Sequence, residues 1–130
     1  MNTAIEVLLT QILVLYWSAE EKLNIEDIEK RLEDFSFMKR IKVEIPKVLG
    51  GNWDITKIKK PLHEWYENSY LLRNRIVHGG YMPEMNEVFK SMNASYDFIN
   101  YVIDLMNKSK YEYLHGLNAT YKIDIQTIKL

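Results

Sequence analysis

Apolar residues recur every three or four positions along most of the chain, a period that belongs to helices. The first such stretch carries Ile5, Leu8, Leu9, Ile12, Leu15, Tyr16, Ala19 and Leu23. Thr3 and Glu6 suit a capping box at its start, where hydroxyl and carboxylate satisfy amides that a helix leaves without partners. Leu13 and Val14 widen the stripe almost to the full circumference, as expected of a helix central to a bundle or shared between two subunits. A second helix is predicted to start at Asn24, whose side chain can cap it. Glu26 and Asp27 are well placed in its first turn, and Ile25, Ile28, Leu32 and Phe35 form its inner face.

The pattern then blurs. Over 37–49, Met38, Ile41, Ile45 and Val48 fit a helix, Ile41, Val43 and Ile45 alternate as in a strand, and Pro46 weakens both. Gly50, Gly51 and Asn52 make a loop. Asp54 suits a short lead-in, and Pro61 is placed as the first residue of a long helix, where its missing amide costs nothing. Ile58, Leu62, Trp65, Ser69, Leu72 and Ile76 fall alternately four and three apart, the seam of a helix packed in a bundle, which ends at Gly79 and Gly80. After Pro83 another helix is predicted, with Glu84 and Glu87 near its positive end. Met85, Val88, Met92, Tyr96, Ile99, Ile103 and Met106 form its buried stripe, the methionines filling gaps in the core. The tail has a period of two: Tyr121, Ile123 and Ile125 alternate with polar residues, and with Tyr111 to Leu114 before a turn at Gly116 they could form a hairpin. The expected fold is all-α, one domain over 1–130, with a helical bundle across 3–108 and a strand-like tail or hairpin across 111–130.

Composition narrows the chemistry. The chain of 130 residues has no cysteine, which excludes disulfides, cysteine-ligated metals and a cysteine nucleophile, and points to a cytoplasmic setting. Seventeen basic residues stand against eighteen acidic ones, so no global positive field holds a polyanion and any nucleic-acid contact must be local. No leader-like pattern opens the chain. The apolar run beginning at Ile5 is broken by Glu6, Thr10 and Gln11 and falls short of the roughly 20 residues of a membrane span. Lys39, Arg40, Lys42 and Lys47 gather in one stretch, as a solvated face or as steering for phosphate. There is no HExxH metal motif and no phosphate-cradling glycine loop. His63 and His115 read as surface or packing residues.

The densest polar stretch is Arg73-Asn74-Arg75-Ile76-Val77-His78-Gly79-Gly80-Tyr81. On a regular helix five positions turn through about 500°, which leaves Arg73 and His78 about 140° apart. A helix loosening over 77–79 would let His78 swing back toward Arg73. Asn74 lies one turn before His78 on the same side and could orient the imidazole. Arginine pairs with phosphate oxygens and stays charged, while histidine exchanges a proton near neutrality. Together they suit cleavage of RNA by its own 2′-hydroxyl, the imidazole moving the proton and the guanidinium stabilising the phosphorane, with no metal or other cofactor needed. The competing reading is a helix-end cap in which the cations offset the negative end of the helix.

Arg73-Asn74-x-x-x-His78, preceded by a long amphipathic helix and followed by Gly-Gly-Tyr-x-Pro and another, resembles the signature of the HEPN superfamily, the higher eukaryote and prokaryote nucleotide-binding domains. That family is marked by an arginine, then Asn, Asp or His, and a histidine a short way on; here four residues separate Arg73 from His78. The resemblance implies an up-down bundle of about four main helices, in a homodimer whose two motifs line one cleft across the two-fold axis. It implies a metal-independent endoribonuclease of the kind found in toxin-antitoxin, phage-defence and RNA-processing systems. Arg73 and His78 would be catalytic, with Asn74, Arg75 and Tyr81 supporting them or contacting RNA. An antitoxin or a nucleotidyltransferase is among the partners it admits; toxins paired with the latter show His-x-Tyr, whereas two glycines separate His78 from Tyr81 here. Other members keep the fold and bind partners without cutting, so the alternative is a dimerisation or adaptor module that binds a nucleotide or a protein. The near-neutral charge favours a small or structured RNA held by few phosphate contacts.

Overall fold

The computed structural model describes residues 2–115, all of them in helices and connecting loops. Helix α1 is Asn2–Ala19 and α2 is Ile25–Asp34. A third rod, α3, spans 37–49 without a break: Phe37–Lys39 and Ile45–Leu49 are α-helical, and Arg40–Glu44 between them forms a wider π turn. The rod α4 spans 61–79 in the same way, with Pro61–Trp65, a π turn at Tyr66–Tyr70, and Leu71–Gly79. Helix α5 is Met85–Lys108. The most extensive packing joins α4 to α5, while α1 lies against α2, the end of α3 and α5.

The apolar first helix is central. Ile5, Leu8, Leu9, Ile12, Leu13 and Trp17 are at most 1 % exposed, and each such side chain contributes about 1.5–3 kcal/mol of burial. They meet Ile41, Ile45, Leu62, Trp65, Phe98, Val102 and Met106 in one core. Trp65 stacks on Phe98 with ring centroids 5.0 Å apart, and Phe37 packs edge-on against Trp65. Asn24 caps α2 as predicted, its side chain accepting the Asp27 amide at 2.8 Å.

The two π turns resolve what the pattern left open. In a regular helix the Pro46 ring would meet the Lys42 carbonyl, and Pro46 has no amide to donate. The wide turn ahead of it, in which the Ile45 amide reaches Arg40 O, carries that carbonyl aside, so 37–49 is helical and not a strand. In α4 the Leu71 amide bonds Tyr66 O. One extra residue in the turn sets the phase of the seam back by about 100°. Leu62, Trp65, Ser69 and Leu72 stay buried while Ile76 becomes exposed. Ser69 in that turn shares hydroxyl contacts of 3.1 Å with Ser91 and Ser95 of α5, so the polar seam position is satisfied where the two helices meet.

Other expectations are corrected. Ile25 and Ile58 are exposed, and so are Met85 and Met92. The predicted stripe of α5 is buried from Ala94 onward but open over its first turns, because no described element covers that end. Residues 112–115 form a helical turn, not a first hairpin strand; Leu114 is buried and Tyr111 meets Tyr16 edge-on. The alternating segment 121–125 lies outside the described residues. No helix among those described is long and apolar enough to cross a membrane.

The loop after α3 is docked on α5. Gly51 has φ +83°, and a Cβ there would lie 2.7 Å from the Tyr101 hydroxyl and 2.8 Å from Leu105 Cδ1. The Asn52 amide donates to that hydroxyl at 2.6 Å.

Candidate functional site

The polar stretch occupies the last turns of α4. Gly80 closes the helix in the left-handed region at φ 64°, its amide donating to Ile76 O and the Tyr81 amide to Arg75 O, each at 3.2 Å. One glycine supplies the reversal. Gly79 remains helical, so the expected loosening over 77–79 does not occur and His78 stays on a regular helix. Arg73 and His78 of one chain therefore diverge by about 140°.

Each side of this helix end meets a different element. Arg73 turns toward α1, where its Nη1 donates to Glu6 Oε1 at 2.6 Å; the arginine side chain is 43 % exposed and the glutamate 31 %. Two positions on, Arg75 faces α5. Its guanidinium lies 3.9 Å over the Tyr81 ring and 3.9 Å from Glu87 Oε2. The Tyr81 hydroxyl donates to Glu87 Oε1 at 2.6 Å, and the Glu84 amide donates to the same oxygen at 2.9 Å, closing a capping box on α5. The Tyr81 hydroxyl, seconded by the Glu84 amide, holds the Glu87 carboxyl below its usual range, and the same hydrogen bond pushes the Tyr81 phenol up. Tyr81 and Arg75 are thus clamped to the start of α5.

His78 is exposed on the ridge between these two sides, and its side chain makes no hydrogen bond or ion pair among the described residues. Asn74 is half-buried, and no side-chain hydrogen bond joins it to His78. Asn74 lines, with Arg73, a recess of about 410 Å³ between α1, α3 and α4 whose other walls include Glu6, Phe37, Arg40 and Tyr70. A second recess of about 300 Å³ lies on the α5 side and is lined by Glu67, Arg75, Glu87 and Lys90. Around the helix end, Ile76, Val77, Met82, Met85, Phe89 and Met92 are exposed.

Glu6, Arg40, Tyr70 and Glu87 were not among the predicted site residues. Glu87 had a signal, as the third helical residue after a predicted start, and Arg40 stood in a basic cluster. Glu6 and Tyr70 had none, because their role depends on how α1 and α3 cross α4. His63 bonds Ile55 O at 2.7 Å and His115 bonds Ser109 O at 2.9 Å, both fastening chain to chain. No group of three or more His, Asp or Glu among the described residues is arranged to hold a metal ion.

Fold and site together define an all-α bundle whose fourth helix ends in an exposed turn carrying two arginines, an amide and an imidazole. No family model, no curated protein and no solved structure matches the chain.

Proposed function

We propose that the chain is a HEPN-type endoribonuclease that works as a homodimer. It cleaves RNA by attack of a 2′-hydroxyl on the adjacent phosphate. His78 transfers the proton and Arg73 holds the scissile phosphate, with Asn74 beside them and the outward donors of Arg75 on the RNA backbone. The observation that carries this reading is the 140° divergence of Arg73 and His78 at a helix end ringed by exposed apolar side chains. On one chain the two groups point apart, so this reading needs a second copy to complete the site, and the exposed Met82, Met85, Phe89 and Met92 offer that copy a surface beside the helix end. Exposed apolar surface of that kind marks association sites.

A second reading has a specific observation in its favour. Arg73 is occupied by Glu6, and Arg75 and Tyr81 by Glu87. A non-catalytic adaptor or dimerisation module would keep such pairs permanently.

The test is RNA degradation in the presence of a chelator. Wild type cuts, and Arg73→Ala and His78→Ala are each inert with helical signal and dimer mass unchanged. Mixing the two inert variants restores part of the activity, because the mixed dimer contains one intact pair. Wild type inert toward varied RNAs rejects the nuclease, and activity that survives His78→Ala rejects the assigned roles.

A further inference from the structure

The loop between α3 and α4 carries a charged and apolar patch that the motif does not use. It runs Asp54-Ile55-Thr56-Lys57-Ile58-Lys59-Lys60, and its base is fixed on both sides. Trp53 is buried against Phe98 and Tyr101, with ring centroids 5.8 and 5.9 Å away, and its indole donates to the Gly50 carbonyl. On the other side His63 bonds Ile55 O. Two turns follow each other between these anchors, the Lys57 amide donating to Asp54 O and the Lys60 amide to Lys57 O, each at 3.2 Å. Lys59 takes φ +68°, which a residue with a Cβ adopts only at a cost. The tip is held out and not collapsed: Ile58 is 72 % exposed, and Lys57, Lys59 and Lys60 beside it are exposed too.

We propose that this tip docks on an anionic lipid surface, with Ile58 in the outer acyl region and the lysine heads among the headgroups. The loop's positive charge is not offset from within. The Asp54 carboxylate already accepts the Thr56 hydroxyl and amide, at 2.7 and 2.9 Å; these bonds first, and then the charges of Lys57 and of Lys42 on α3, hold it below its usual range. No other acidic residue occurs until Glu64, whose carboxylate takes the Asn68 amide. The ion pairs among the described residues engage Arg31, Lys47, Arg73 and Arg75, and none of the loop lysines. Lys60 also stands at the cap of α4, the positive end of a helix, where acidic residues are the favoured ones. The whole chain has a net charge of −1, so attraction to an anionic surface has to come from a local patch and not from a general field. The apolar tip decides which anion. A phosphate backbone in water rewards the lysines alone, and single-stranded nucleic acid is held by aromatic stacking as well; residues 54–60 contain no aromatic side chain and no arginine. An exposed isoleucine gains only where an apolar medium lies beneath the charge. That is the layering of a bilayer, where lysine stems cover apolar depth while their ammonium groups stay at the headgroups. Each lysine near such a surface contributes about a fivefold gain in binding, so three give about a hundredfold, a reversible surface attachment and not a span. Attachment of this kind is independent of the nuclease reading.

Co-sedimentation of the wild-type protein with vesicles tests it, using phosphatidylcholine alone and phosphatidylcholine with about a third phosphatidylserine. The protein binds the mixed vesicles at least about tenfold more tightly, and the preference shrinks as salt is raised. Lys57→Gln with Lys59→Gln weakens that binding about 25-fold, and Ile58→Ser weakens it about tenfold. Lys22→Gln with Lys30→Gln, at lysines elsewhere on the surface, leaves it unchanged. All these positions are exposed, so the variants keep the wild-type helical signal. Ile58→Trp reads the depth: its emission is quenched by anionic vesicles with brominated acyl chains, against a background from the buried Trp17, Trp53 and Trp65. Equal binding to both vesicle types, binding to neither, a loss in the Lys22 and Lys30 variant as large as in the loop variant, or absence of quenching overturns the proposal. A single-stranded oligouridylate bound through Lys57 and Lys59 and indifferent to Ile58→Ser, in protein that ignores the vesicles, assigns the loop to nucleic acid and overturns it too.

Discussion

Replacing Glu6 by glutamine isolates the restraint on Arg73. The change keeps the size of the side chain and its hydrogen-bonding oxygen but removes the charge that meets Arg73 Nη1 at 2.6 Å. A phosphate on the free side of that guanidinium would stand about 5 Å from the Glu6 carboxylate, where like charges repel by about 0.8 kcal/mol in water and about 3 kcal/mol at an effective dielectric of 20. With both side chains about a third or more exposed, solvent screening favours the lower figure, which corresponds to about a fourfold gain in RNA affinity. Stability moves the other way, because a partly exposed ion pair contributes roughly 0.2–1 kcal/mol. The melting temperature should fall by no more than about 4 °C. The assay is fluorescence anisotropy of a labelled RNA at fixed salt, in a His78→Ala background so that cleavage does not interfere. Glu6→Gln should tighten binding, and Glu6→Gln with Arg73→Ala should not. If the folded Glu6→Gln protein binds RNA no better than its parent, Arg73 is there to pin α4 to α1, and its assignment to a phosphate fails.

The remaining expectations are independent of that pair. Gly51→Ala combines a left-handed backbone with a Cβ pressed on Tyr101 and Leu105, and should cost about 2–4 kcal/mol in denaturant unfolding. Gly50→Ala, at φ +68° and ψ −154° with open space for a Cβ, should cost about 1–3 kcal/mol from backbone strain alone, and a Gly51→Ala loss no larger than that would show that the close contact with α5 does not matter. The Glu87 carboxyl is held low in the fold, so its contribution is complete above the ordinary carboxylate range and is lost as pH falls through the lowered value. Fraying of the start of α5 in acid, followed by amide exchange, should therefore be absent in Glu87→Gln. Tyr81 is raised by the same bond; its ultraviolet phenolate transition should shift down toward the ordinary phenol range in Glu87→Gln, and an unmoved transition would deny the bond. Phe89→Asp places a charge in the exposed apolar ring; if the proposed homodimer forms through that ring, the variant should sediment as a monomer with its helical signal intact where wild type sediments as a dimer. A dimer that survives it docks elsewhere.

The helices were legible because burial of one face imposes a period on the sequence. Asn24, Pro61 and Glu84 were readable as helix starts for local reasons that no distant contact alters. Two things were hidden. The first is the pair of π turns: a single extra residue leaves no mark on residue type, yet it made 37–49 helical despite Pro46 and turned Ile76 out of the seam. The second is the uncovered end of α5. Met85 and Met92 carry the period of a buried stripe, but periodicity reports that a face is apolar, not what covers it. For the site, the stretch from Arg73 to Tyr81 stood out by composition, whereas its partners Glu6, Arg40 and Glu87 come from three other segments. Chain distances of 67 residues for Glu6 and Arg73 lie beyond any local rule.

That distribution of partners bears on how the helix end could work. Arg73 and Arg75 sit two positions apart, about 200° around the helix, and each is met by a carboxylate from a different neighbour, α1 for one and α5 for the other. Two like charges so close in sequence are thereby kept from facing each other, and the ridge between them is left to His78, which has no carboxylate beside it. A helix end used only as a cap would place its cations over the terminal carbonyls, where they offset the negative end of the helix. Here the amides of Tyr81 and Gly80 meet the carbonyls of Arg75 and Ile76, and both arginines are turned to carboxylates of neighbouring helices. The imidazole side chain thus has no polar partner among the described residues, and the two guanidiniums are each met by a carboxylate of a neighbouring helix. On this geometry His78→Ala should leave the melting temperature within about 1 °C of wild type. A larger loss would give the imidazole a packing role and remove the ground for placing it in chemistry.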